Sequence, residues 1–259
     1  LQGLALPPIF AVTIAYIGEE WPPTETAAAA GMYTSGASLG GLSGRFVTGV
    51  LTDLAGWRTT FMVLAALTLV GAALVALMLP HERNFVRSDG FAASARQMLR
   101  HFRNPQLLAT YAVGFGTLFN FIATFTFSSF VLAAPPYNFS PTGLGAIFLV
   151  YLVGAPVSAW FGLMGARHGK GRMMLAAAAL MLAGLAVTLP NHIWSITLGL
   201  AMVTGGFFGA HALASAWAGS RVPAARGQAS SLYLFFYYLG PALFGAIADI
   251  DRKTGKPRG

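Results

Sequence analysis

Residues 31–61, GMYTSGASLGGLSGRFVTGVLTDLAGWRTTF, decide how the whole chain is read. Glycines fall at 31, 36, 40, 41, 44 and 49, inside an apolar run long enough to cross a bilayer. In a helix exposed to water each glycine costs roughly 1 kcal/mol relative to alanine. In lipid the balance changes, because small residues let two helix backbones approach closely and pack. Gly36, Gly40 and Gly44 recur every fourth residue and so line one smooth stripe of a helix. The stretch predicts a membrane helix built for close packing, with a second apolar run beginning near residue 58.

Composition agrees. The 259 residues are 56% hydrophobic and only 9% charged, with a mean hydropathy of +0.64. A soluble domain carries about 25% charged residues, so the chain reads as a polytopic all-α membrane protein. It has no cysteine, which excludes disulfides and thiolate metal sites. The acidic loop Glu19, Glu20, Glu25 lacks cysteine or a suitably spaced histidine, and neither a metal nor a cofactor is expected. The formal charge of +8 sits in short loops between apolar spans, which reads as an orientation signal and not as a nucleic-acid footprint. The chain opens at Leu1 inside an apolar run and shows no signal-peptide pattern.

A span needs about 20 apolar residues to cross about 30 Å of hydrocarbon. Candidates are roughly 1–17, 27–50, 58–79, 106–133, 142–164, 172–190, 193–218 and 228–248, about eight helices. The one long polar segment, 81–105, offers Phe91, Ala95, Met98, Leu99 and Phe102 at helical spacing. Arg96, Arg100, His101 and Arg103 lie off that stripe. Two readings stand: a basic amphipathic helix on an anionic membrane face, or a solvated linker. Segments 18–26, 81–105, 165–172 and 219–227 together hold ten Lys and Arg, and the opposite loops hold only Arg58. The 81–105 side is therefore expected in the cytoplasm. Arg252, Lys253, Lys256 and Arg258 in the tail break that rule.

At an offset of 201 residues, Ala11, Ala15, Tyr16, Gly18, Pro22, Ala28 and Gly44 align with Ala212, Ala216, Trp217, Gly219, Pro223, Ala229 and Gly245. Matching helix pairs of the same orientation are what two parallel halves of a transporter produce.

The spacing Gly31-x8-Gly40-x3-Gly44-Arg45-x2-Thr48-Gly49 resembles the antiporter motif in the fifth helix of the major facilitator superfamily, with Arg45 where that motif has proline. Gly56-Trp57-Arg58-x-x-Phe61 resembles the start of the sixth helix. Gly162 through Arg172, with Arg167 and Gly169, resembles the family's cytoplasmic loop between helices eight and nine. Ala166 stands where that loop has aspartate, which leaves a charge relay through it unsupported. Thr204–His211 and Gln228–Tyr238 resemble helices ten and eleven of the efflux branch, the arabinose-efflux-permease-like and drug:proton-antiporter-like proteins.

The resemblance implies an incomplete fold of two parallel-repeat bundles, covering about helices four to eleven of twelve. Residues 1–80 would be the C-terminal part of the first bundle, 81–105 the linker, 106–248 the second bundle, and 249–259 an atypical tail. It also implies a secondary transporter of a bacterial inner (plasma) membrane. Such a protein exports a small organic solute such as a drug or sugar, coupled to protons, by alternating access, and is monomeric when complete. The chain by itself is then expected not to transport. The alternatives are an intramembrane enzyme, for which no paired carboxylates, Ser/His dyad or HExxH occur in the spans, and a non-transporting membrane fragment.

Ionisable groups inside a membrane are costly and default to functional candidates. Arg45 either snorkels outward or serves the solute or proton pathway. His211 either titrates there or is a neutral histidine bonded to a neighbouring helix. Asp249 is interfacial. Asn120, Gln2, Tyr33, Thr117 and Tyr151 are polar near mid-helix, where they either meet solute or bond helices together. Asn120 and His211 are expected to face one central cavity, and Tyr237 either lines it or packs.

Overall fold

The computed structural model describes residues 9, 12–13, 16–17, 19–22, 25–81, 83, 99–190, 192–220 and 226–254. Its helices are α1 (Thr26–Met78), α2 (Pro105–Ala133), α3 (Pro141–Ile147), α4 (Gly154–His168), α5 (Lys170–Thr188), α6 (Ile193–Ser220) and α7 (Arg226–Thr254). A 3-10 segment, Phe148–Val153, links α3 to α4. Among the described residues five stretches are long and apolar enough to cross a membrane: Leu39–Met78, Pro105–Ala133, Pro141–His168, Lys170–Thr188 and Ile193–Ala218. The expected spans 27–50 and 58–79 both fall in α1, and most of 1–17 lies outside the described residues. The expected span 228–248 lies within α7, where Gln228, Ser230, Ser231 and the tyrosines dilute the apolar run. The helix runs on to Thr254, through the first residues of the expected tail.

The chain forms two compact units. One joins Val12–Arg87 to Ser129–Leu149, and the other joins Leu1–Ala11, Ser88–Ser128 and Val150–Gly259. The expected boundaries near 80 and 105 follow chain order and span count, whereas these units follow packing.

In the first unit the 53 residues of α1, if straight, would run about 80 Å at 1.5 Å per residue. That is more than twice the hydrocarbon thickness of about 30 Å. The length is divided at Gly56, whose φ of 77° and ψ of 163° are non-helical and open essentially to glycine alone. Eight residues of straight helix separate atoms by about 12 Å. The Thr52 and Thr60 hydroxyls nevertheless lie 3.2 Å apart, so the chain folds back at the glycine. The other ends of the two limbs agree. The Tyr16 hydroxyl donates to the Pro80 carbonyl at 2.9 Å, and the Arg83 amide donates to Glu20 Oε1 at 2.7 Å. Beside the turn the Arg58 guanidinium stands 4.5 Å over the Trp57 ring, a pairing suited to a membrane boundary.

The second unit is held by small residues where helices cross. A Cβ on Gly184 of α5 would lie 2.8 Å from the Gly199 carbonyl oxygen of α6. One on Gly206, two turns further along α6, would meet the Ala177 carbonyl oxygen at 2.5 Å. This is the close approach that small side chains permit in lipid. Ala177, Met181, Val203, Ala210 and Ala214 are buried along that seam. The corner between α4 and α5 is Gly169, at φ 91°.

The basic amphipathic stripe expected in the linker lies largely outside the described residues. Its last turn reverses the expectation: His101 is buried and Leu99 exposed. Phe102 is edge-on to Phe236 of α7 at 6.0 Å, so α7 packs on this turn and fixes which side faces inward.

Candidate functional site

α6 places His211 about two-thirds of the way along its length, half-buried, facing α7. Its Nδ1 is 2.9 Å from the Tyr233 hydroxyl. Tyr237, one turn on, sets its ring 4.6 Å from the imidazole, and Phe207 stacks on the imidazole at 6.0 Å and on Tyr237 at 6.2 Å. Phe207 is stacked in turn on Phe121 of α2 at 4.1 Å. The Tyr233 ring is 1% exposed and lies over Gly114 of α2, where a Cβ would come within 2.6 Å of it. Three helices thus lock one tyrosine, and the tyrosine positions the histidine. No Asp or Glu occurs between Asp89 and Asp249, so no carboxylate from that stretch balances a charge on the imidazole. Neutral His211 can either donate or accept at Nδ1, whereas protonated it can only donate. The Tyr233 hydroxyl can do both, so it can serve either state of the ring.

Asn120 stands elsewhere. On α2 it shares a face with Thr124 and Ser128, at spacings of four, and these line a groove with Phe119, Ala123, Phe127, Leu185 and Thr188. The groove holds about 280 Å³. The Thr124 hydroxyl lies 2.8 Å from the Asn120 backbone carbonyl and 3.0 Å from its Oδ1. The structure does not place Asn120 and His211 in one lining. The imidazole is enclosed by Phe207, Tyr233 and Tyr237, and none of these touches the groove. Thr117 donates to the Val113 carbonyl of its own helix at 2.7 Å.

Arg45 belongs to the first unit. Its Nη1 donates to the Gly41 carbonyl at 3.1 Å and its guanidinium stands 4.8 Å over the Phe148 ring. On the same helix Gly49 meets the Pro141 carbonyl, closer than any Cβ would allow. A Cβ on Gly145 would lie 3.1 Å from the Arg45 carbonyl oxygen. Asp53 Oδ2 accepts the Thr142 amide at 2.7 Å, and the Ser140 hydroxyl accepts from Gly143 at 3.2 Å. Side chains from two segments thus satisfy the free amides at the start of α3. Among the described glycines of the stripe only Gly49 is in such contact. Nothing stands within 4 Å of a Cβ at Gly36, Gly40 or Gly44, and the surroundings of Gly31 are outside the described residues.

Tyr33 is half-buried on α1, and Gln2 is outside the described residues. Gly162 faces open space, and Arg167 and Arg172 are exposed on either side of the Gly169 corner. Arg167 and His168 end α4, where positive charge suits the helix terminus. Tyr233, Gly114, Asp53 and Thr188 were missed from sequence, since their partners are 22 to 119 residues away in the chain. Thr124 and Ser128 were legible in the fourfold spacing from Asn120.

The family described as Major Facilitator Superfamily matches residues 1–248. The inner membrane transport protein YnfM of Escherichia coli (strain K12) is 37% identical over 96% of this chain and 60% of its own length. An uncharacterized transporter of Buchnera aphidicola subsp. Schizaphis graminum is 36% identical over 95% of this chain and 60% of its own. The uncharacterized MFS-type transporter YybF of Bacillus subtilis (strain 168) is 34% identical over 96% and 62%. The chain spans about 60% of the length of these curated relatives.

Proposed function

Because the chain belongs to the major facilitator superfamily, we propose that it forms part of a secondary transporter that exports a small organic solute against proton entry, by alternating access. The observation that carries the proton arm is the His211–Tyr233 bond of 2.9 Å between α6 and α7. Imidazole is the side chain whose ordinary pKa lies nearest neutral pH. In this site protonation obliges Nδ1 to donate, so a neutral ring that accepts there reverses the bond on protonation while the two helices stay joined. A positive charge at that point, with no carboxylate side chain in the stretch 90–248 to balance it, raises the energy of the state that holds it. That gives a proton a means of biasing one arrangement of α6 and α7 over another. Arg45, Asn120, Tyr33, Tyr237 and Gln2 are assigned to the same pathway as residues that solute or proton meets. The glycine stripe and the Gly162–Arg172 corner are assigned to helix packing and to the cytoplasmic loop.

The test joins this chain to the remaining segment of the E. coli relative YnfM, reconstitutes the product in proteoliposomes, and follows efflux of a labelled sugar and a drug dye across a proton gradient. His211→Gln and Tyr233→Phe are expected to lose most of the gradient-driven component and its pH dependence. Unchanged efflux and pH profile in both variants, at equal protein incorporation, would overturn the proton role.

A further inference from the structure

The groove beside Asn120 has a composition that selects its occupant by charge. Its polar groups are the Asn120 carboxamide and the hydroxyls of Thr124, Ser128 and Thr188, all neutral. No Asp, Glu, Lys or Arg occurs between Arg103 and Arg167 or between Arg172 and Arg221, the two stretches that supply its walls. A charged ligand would leave water for a low-dielectric surface with no counter-charge, which is costly. A neutral ligand meets groups able to bond it. Thr124 lies within bonding distance of Asn120 Oδ1 and Thr188 donates to the Leu185 carbonyl. The Asn120 carboxamide also carries the two Nδ2 donors.

The apolar walls are equally fixed. Phe244 of α7 stands edge-on behind both groove rings, 5.8 Å from Phe119 and 5.7 Å from Phe127. Phe119 is also stacked on Phe115 at 6.0 Å. The volume of about 280 Å³ lies at the lower edge of the roughly 300–1,000 Å³ that encloses drug-sized ligands. One ring with a short polar substituent is the size that matches.

We propose that this groove binds a neutral single-ring amphiphile, its ring against Phe119 and Phe127 and a hydrogen-bond acceptor at the Asn120 amide. The assignment rests on the reading of the chain as part of a solute transporter, but binding here needs no gradient and is measured without one. The probe is a benzyl alcohol bearing a phenyl-attached trifluoromethyl diazirine, compared with its benzylammonium analogue. Each is photoactivated with the 259-residue chain in phosphatidylcholine vesicles, and labelled peptides are mapped by mass spectrometry. The alcohol should label 119–128 and 185–188 saturably. Excess unlabelled benzyl alcohol should cut that labelling about fivefold, as should Asn120→Leu, a change of roughly 1 kcal/mol in binding. The ammonium analogue should label these peptides at least about fivefold less than the alcohol.

The competition arm needs no variant, so it stands whether or not Asn120→Leu folds. Labelling that does not saturate and spreads over the lipid-facing peptides would show a lipid groove and overturn the site. Equal labelling by the ammonium compound would overturn the charge selection. Saturable labelling together with absent efflux in the transport assay would count against the transporter reading and leave this site intact.

Discussion

At the scale of single residues, Tyr233 ranks the interactions around it. Its hydroxyl bonds His211 at 2.9 Å, and its ring fills the space above Gly114. Hydrogen bonds between membrane helices average only about 0.6 kcal/mol by double-mutant cycles. Overpacking a filled interior costs about 1–3 kcal/mol. Packing is therefore the larger effect, and Gly114→Ala should destabilise the chain more than Tyr233→Phe. Unfolding midpoints in detergent check this, and the reverse order would show that the ring yields easily and the bond does not. Asp53→Asn should be mild, since a carboxamide oxygen still accepts from the Thr142 amide now bonded at 2.7 Å. Asp53→Leu removes that acceptor and should lower the unfolding midpoint further than Asp53→Asn does.

At the scale of elements, glycines in α1 divide into those with a steric reason and those without one. Gly56 holds φ 77°, so Gly56→Ala should cost about 1–3 kcal/mol. Nothing lies within 4 Å of a Cβ at Gly40, so Gly40→Ala should be neutral, or stabilising by up to about 1 kcal/mol through helix propensity. Equal losses from the two alanines in the isolated chain would contradict the hairpin turn. The turn before α2 makes a pH prediction. Burial holds the His101 pKa below its ordinary value, because the charged imidazole loses its water. The fold thus favours neutral histidine. The resulting stability is full above the ordinary pKa of about 6.5 and is lost as pH falls through the lowered folded value. His101→Leu should flatten that acid limb in a series of midpoints taken from pH 7 downward.

At the scale of the whole molecule, membrane orientation follows from charge. Ten Lys and Arg against one, in alternate loops, favours the face carrying 81–105 and the α4–α5 corner as cytoplasmic. His168 and Ala134 are both exposed, each at the C-terminal end of one of two consecutive spans, and consecutive spans cross a bilayer in opposite directions. In whole cells, an impermeant maleimide should label the Ala134→Cys variant and spare His168→Cys, with both labelled after permeabilisation. The opposite pattern would invert the orientation.

The sequence by itself determined the class of this protein. The charge-poor composition, the apolar runs and the ordered glycines of 31–61 admit only a helical membrane protein, and the GWRxxF signature with the Gly162–Arg172 loop named its family. The backbone must satisfy its own hydrogen bonds in lipid, so long apolar runs leave helices as the one outcome. Periodicity also gave depth and face: Asn120, Thr124 and Ser128 can be placed on one side of a helix without coordinates. It could not supply partners. Nothing in the chain order says that Tyr233 meets His211, that Asp53 caps a helix beginning 88 residues later at Pro141, or that Thr188 closes a groove opened by Asn120. Nor does it say that His101 turns inward, which depends on α7 packing against that turn. A helical repeat fixes each side chain relative to its own axis. Which neighbour lies opposite depends on how the helices cross, and that is decided by the close fit of residues such as Gly184, Gly199 and Gly206 in three dimensions.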